Sequence, residues 1–153
     1  MDETGLDRDD PYAYGWSPKN TRCYAKKPGG KKQRISIIAG LNRSRLMAPC
    51  YFTGYTNAHV FNAWLEQELV PTLTPGMTVI MDNARFHKSP KTKEIIEAAG
   101  CSLLFLPPYS PDFNPIENRW FPLKNTARKI LQTITDLQNA IHAAILQNSL
   151  TSC

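Results

Sequence analysis

No apolar run in the 153-residue chain approaches the ~18 residues a membrane-spanning helix needs. Cysteine is scarce and scattered. Cys23, Cys50, Cys101 and Cys153 form no CxxC pair, which argues against a zinc site and fits unpaired thiols in a reducing cytosol. The opening "MDETGLDRDD" is acidic and has none of the character of a signal peptide. Internal repeats and low-complexity tracts are also missing. Acidic residues vanish between Lys19 and Arg45, where nine basic residues, half of all the Lys and Arg, are gathered.

What is present reads as one globular domain. A hydrophobic content of 42% against 20% charged residues is too apolar for a disordered chain, and the length suits a single core. The net charge of +5 matters less than its distribution. A concentrated basic stretch suggests a polyanion partner, most simply nucleic acid. Lys26, Lys27, Lys31, Lys32 and Arg34 flank "PGG" and could grip phosphates from a hairpin tip. The plainer reading is a solvated hairpin kept soluble by its lysines.

"ISIIAGL" (35–41) and "RLMAPCYFTG" (45–54) predict a β-hairpin, with Pro49 putting the second strand at an edge or beside a bulge. Phe61, Trp64, Leu65 and Leu69 recur with helical period over 57–70, and Pro71 should close that helix. "MTVIMDN" (77–83) reads as a strand, 90–99 as a helix stopped by Gly100, and "CSLLFLPP" (101–108) as a strand buried on both faces. A last helix over 135–148 opens on Thr135-Asp-Leu-Gln138, a capping-box pattern, and should bury Leu137, Ile141, Ala144 and Ile145. A hairpin followed by alternating strands and helices implies a mixed α/β sheet, with functional groups at the carboxyl ends of strands.

Three carboxylates stand out. Asp82 ends a strand, although Asp-Asn is also ordinary turn chemistry. Glu117 lies in "NPIENRW", where Asn114 could cap a helix, Pro115 suits its first position, and an acid at the third favours the helix dipole. Pro122 should then kink or interrupt that helix. Asp2, at a chain end, would ordinarily be solvated. His59 and His142 fall in expected helices and suit surface or packing roles, while Trp64 and Trp120 read as core aromatics.

The segments "VIMDNARFHKS" and "LPPYSPDFNPIENRWFPLK" resemble the Tc1/mariner-like DDE transposases, in particular the bacterial IS630 group. Between Asp82 and Glu117 lie 34 residues, the spacing that group's "DD34E" describes, and "MDETG" and "YGWSPKN" resemble its first motif and the segment after it. The likeness runs from Met1 to about Ile130. It implies an RNase H-like mixed sheet flanked by helices, with a catalytic domain over 1–132 and a C-terminal helix and tail over 133–153. It also implies that Asp2, Asp82 and Glu117 converge on two Mg²⁺ ions, for which Mn²⁺ can substitute. Asp2 would bridge both ions, and the other two would each hold one side. The physics of hard cations agrees: Mg²⁺ takes oxygen ligands and retains water, so a few carboxylates and a phosphate complete its shell.

By the same resemblance His87, Arg119 and Lys124 lie near the site or the DNA, with a structural hydrogen-bonding role the alternative for His87. The expected activity is DNA strand cleavage and strand transfer at transposon inverted repeats, with a TA target, in the cytoplasm of a bacterium and near its nucleoid. A homodimer would hold two ends. Relatives carry a helix-turn-helix part ahead of the catalytic domain, so here a separately encoded one is expected. The first strand should be truncated and Asp2 weakly anchored. The alternatives are a catalytically inactive nucleic-acid-binding remnant and a hydrolase of RNA–DNA hybrids.

Overall fold

The computed structural model describes residues 1–7, 18–19, 33–108 and 110–150. β1 (Asp2–Asp7), β2 (Arg34–Asn42) and β3 (Arg45–Thr53) form an antiparallel sheet in that order. The expected hairpin joins β2 to β3, and Arg43 at its turn takes φ 55°, the left-handed conformation of a tight reversal. Pro49 sits on the edge strand β3, next to Ala48 at φ 47° and opposite a register shift between Ile38 and Gly40. A residue with no N–H is tolerated there because one side of an edge strand has no partner.

The chain then forms α1 (Ala58–Trp64), capped by the Asn57 side chain, which accepts from the Val60 amide at 3.0 Å. A π-helical turn (Leu65–Leu69) and a 3-10 turn (Val70–Thr72) extend it past Pro71, whose missing N–H breaks the regular hydrogen-bond ladder. β4 (Thr78–Met81) and β5 (Ser102–Phe105) pair in parallel across α2 (Pro90–Ala98). Gly100 ends α2 at φ 71°, as expected of a C-terminal glycine. α3 (Glu117–Ile130) and α4 (Leu137–Leu150) complete the fold. The Met1 amino group donates to the Ile80 carbonyl at 2.7 Å and so links β1 to β4.

Alternation along the strands divides the core in two. Leu6, Ile35, Ile37 and Ala39 face α3 and α4, meeting Ile116, Trp120, Leu123, Leu137 and Ile141. Ile38, Val79 and Met81 face the other way, onto Phe61, Trp64, Leu65, Ile95 and Ile96. The C-terminal helix therefore shares a core with the first strands. It buries the four residues its periodicity named.

Four expectations need correction. β5 is not covered on both faces: Leu104 and its register partner Ile80 are 51% and 42% exposed, because α1 and α2 cover one side of β4–β5 and α3 and α4 lie over β1 and β2. α4 is capped by Asp136, whose carboxylate accepts from the Asn139 amide at 3.0 Å, one residue after the expected Thr135. α3 starts at Glu117 with no side-chain cap; the Asn114 carbonyl, not its side chain, receives the Glu117 amide, at 3.1 Å. Pro122 lies inside α3 and does not interrupt it.

Candidate active site

Adjacent residues of a strand point to opposite faces, and the first two acids of the chain are separated in this way. Asp2 faces α3. It is buried, not loosely held as expected at a chain end, and its Oδ2 accepts from the Trp120 indole N–H at 2.9 Å. Burial pushes the Asp2 carboxyl up to about 6, the indole hydrogen bond counters part of that rise, and the charges of Glu117 and Asp82 add to it. Trp120 can do this because it lies three residues after Glu117, one turn along the same face of α3. It is a core aromatic, as its sequence suggested, and also a hydrogen-bond donor to a candidate ligand.

Glu3 faces the other way, toward His87, which is fully buried in a 3-10 turn (Arg85–Lys88). The ring Nε2 lies 3.1 Å from Glu3 Oε2, and Nδ1 lies 2.6 Å from Asp82 Oδ1. Asp82 Oδ1 also accepts from the Ala84 amide at 3.0 Å, closing the turn after β4. Burial opposes a charged imidazole, yet hydrogen bonds to Asp82 and Glu3 outweigh it and raise His87 to about 9. The two carboxylates respond oppositely to the same ring. The imidazole hydrogen bond holds half-exposed Asp82 below its ordinary value, whereas burial dominates at Glu3 and raises it. Phe61 and Phe86 wall the ring in, with centroids 4.3 and 4.5 Å away. Ser89 caps α2 and accepts from Asn62 of α1 at 3.1 Å, while Thr92 donates to Asn62 at 2.8 Å, so the turn carrying His87 is held against α1.

Glu117, at the head of α3, is exposed and lines a cleft of about 440 Å³ together with Asp82, Asn83, Lys88, Ser110 and Asn114. The Asn83 side chain donates to the Leu106 carbonyl and ties the end of β4 to the end of β5 beside this cleft. The donors are of the type a hard divalent cation takes: carboxylate oxygens that feel one another's charge, beside an open cleft. They are not drawn into a closed ligand cage. Among the described residues no group of three His, Cys, Asp or Glu side chains stands close enough to hold a metal ion. Asp2 and Asp82 each commit one oxygen to a protein donor instead.

A family model described as DDE superfamily endonuclease matches residues 1–139. The chain belongs to that family. Solved structures share its RNase H-like fold. The Mos1 strand transfer complex superposes with a TM-score of 0.61 at 15% identity, over 96% of this chain and 53% of that one. The catalytic core domain of BIV integrase gives 0.55 at 14% identity, over 76% and 74% of the two chains. The simian T-cell lymphotropic virus intasome gives 0.56 at 13%, over 74% and 41%. These likenesses establish the fold. A curated relative, the uncharacterized protein y4pE/y4sA of Sinorhizobium fredii (strain NBRC 101917 / NGR234), is 45% identical over 42 residues, which are 28% of this chain and 29% of that protein.

The DDE domain places the other candidate residues unevenly. Lys26, Lys27, Lys31 and Lys32 lie outside the described residues. Arg34 pairs in register with Asp7, five residues along from the Asp2–Ala39 pair, hence roughly 17 Å from Asp2. Its Nη1 lies 3.5 Å from Asp7 Oδ1 and its guanidinium 5.1 Å from the Tyr55 ring centroid. Arg119 and Lys124 are half-buried on α3 and do not line the cleft. His87 is interior and lies beside the site, hydrogen-bonded to Asp82, which fits both the expected place near the site and the alternative structural role. His142 packs on Tyr51 and His59 is exposed, as expected. The sequence reading missed three participants. Glu3 was visible only as the neighbour of Asp2, Trp120 carried a signal in its spacing from Glu117, and Lys88 carried none.

Proposed function

We propose that this DDE domain catalyses divalent-metal-dependent DNA strand cleavage and strand transfer, with Asp2, Asp82 and Glu117 as the metal-holding carboxylates. One observation carries the proposal. Asp82 and Glu117, from a strand end and a helix start with 34 residues between them, line one cleft, and the buried Asp2 carboxyl feels the charge of both. Two Mg²⁺ ions, or Mn²⁺ in their place, would activate the attacking water or 3′-hydroxyl and stabilise the leaving oxygen.

The protein's part is positioning. Trp120 orients Asp2, His87 and the Ala84 amide orient Asp82, and the head of α3 presents Glu117 to solvent. Lys88, exposed on the cleft wall with Nζ 5.9 Å from the Phe105 ring centroid, supplies positive charge where a phosphate would lie. In the fuller form of this reading the substrate is transposon inverted-repeat DNA with a TA target. A second copy completes the assembly, in a bacterial cytoplasm. No helix among the described residues is long and apolar enough to cross a membrane.

Thermal unfolding with and without Mn²⁺ tests the metal site. At about 100 times its dissociation constant, an ion that binds only the folded state stabilises it by about 2.7 kcal/mol. The wild type should gain this, and Asp82→Asn and Glu117→Gln should lose it. An identical shift in all three proteins would remove the carboxylates from the site.

The engagement of Asp2 and Asp82 by protein donors, with no closed ligand group among the described residues, favours a second reading: a nucleic-acid-binding remnant without catalysis. Steeply salt-dependent DNA binding that survives Glu117→Gln and chelation, with no cleavage by the wild type, would support it.

A further inference from the structure

We propose that Glu3 is a positioning residue for the candidate metal site, acting on Asp82 through the buried imidazole of His87. This rests on the reading of Asp82 as a metal ligand.

The geometry is a carboxylate–imidazole–carboxylate chain, Glu3 Oε2 to Nε2 at 3.1 Å and Nδ1 to Asp82 Oδ1 at 2.6 Å. Its centre is fully buried, and Glu3 is itself only 18% exposed. A ring nitrogen facing an ionised carboxylate must carry hydrogen, so the Glu3 contact determines which nitrogen hydrogens the ring presents and how the ring is turned. Phe61 and Phe86 leave the imidazole little room to rotate, so its Nδ1–H remains aimed at Asp82. Asp82 Oδ1 is then committed twice over, to the ring and to the Ala84 amide, and the carboxylate plane is set. An orientation imposed in this way leaves Oδ2 as the oxygen that an incoming cation would meet.

Glu3 cannot touch such a cation from its side of β1. Strand alternation sends it onto the face opposite Asp2, where its register partner is Ile38. Its effect has to pass through His87. Residues that hydrogen-bond to metal ligands in this manner typically change metal affinity by about 10- to 100-fold when altered. The adjacent acids Asp2 and Glu3 thus serve one site from two faces of a single strand, one beside the cleft and one behind it.

The test uses Glu3→Gln, which keeps the shape and an acceptor oxygen while removing the charge. Mn²⁺ dissociation constants are measured by electron paramagnetic resonance, together with the imidazole N–H proton resonances of the metal-free protein by NMR. The expected result is a dissociation constant raised about tenfold, a metal-free transition that stays cooperative, and shifted ring N–H resonances. A dissociation constant within twofold of wild type, with unshifted ring protons, would overturn the proposal. Should Glu3→Gln not melt cooperatively, His87→Asn takes its place. Its amide can donate to Asp82 but does not reach Glu3, so the same tenfold loss is expected and the same twofold limit refutes. If wild type shows the hydrogen-bonded ring protons but binds no Mn²⁺, it is the metal-site reading that fails, and Glu3 has no ligand to position.

Discussion

Replacing Trp120 with Phe isolates the side-chain hydrogen bond that holds Asp2. The indole N–H donates to Asp2 Oδ2 at 2.9 Å in the interior, and phenylalanine keeps an aromatic ring there while deleting the donor. A hydrogen bond to a charged group is worth about 1.5–3 kcal/mol, and the smaller ring leaves a void costing on the order of 1 kcal/mol. The variant should therefore be destabilised by roughly 2–4 kcal/mol at pH 7.5. For a domain of this size that lowers Tm by about 5–15 °C. The loss should shrink at low pH. The Asp2 carboxyl titrates at about 6, so near pH 4.5 it is protonated and the lost bond is a neutral one, worth about 1 kcal/mol. Circular dichroism melts at both pH values give the comparison without relying on tryptophan emission. A penalty below ~0.5 kcal/mol, or one that does not change between the two pH values, would refute the account of Asp2 as an ionised carboxylate held by Trp120.

Three further outcomes are expected. His87 has its folded pKa raised from 6.5 to about 9, so its network contributes full stability below pH ~6.5 and loses it as pH rises through 9; the loss should be on the order of 3 kcal/mol, and His87→Asn should flatten this part of the stability profile. Asp2 is also raised, from 3.8 to about 6, so the stability of its protonated form, full below pH 3.8, is lost as pH rises through 6 and stays lost above it; with Asp2 a metal ligand as proposed, Mn²⁺ binding should weaken by about tenfold per pH unit below 6, as isothermal titration would show. Gly100 sits at φ 71° with Pro75 Cβ 3.2 Å from where a side chain would begin; Gly100→Ala should cost roughly 1–2 kcal/mol in urea melts and leave the Mn²⁺ response unchanged.

Much of the fold was legible in the chain because it rests on local chemistry. The 35–54 hairpin, the Gly100 stop and the apolar face of α4 each follow from turn residues or side-chain period, and each is found. The caps were less legible. Thr135 and Asp136 are both competent, and so are the side chain and carbonyl of Asn114, so the choice depends on where the helix docks. Asp82 and Glu117 could be picked out as candidates from their motifs and spacing, and the fold brings both to one cleft.

The sequence by itself determined the family, the identity of the elements and the three candidate acids, since these are carried by periodicity and by long motifs that few chains share. Tertiary structure alone decided what surrounds each acid. Asp2 became buried because β1 lies under α3, Glu3 reached His87 because alternate strand residues face opposite ways, and β5 lost one cover because α1 and α2 lie on the same side. Each of these is a contact between residues far apart in the chain, 118 positions for Trp120 and Asp2 and 84 for His87 and Glu3, and no local pattern encodes such a pairing.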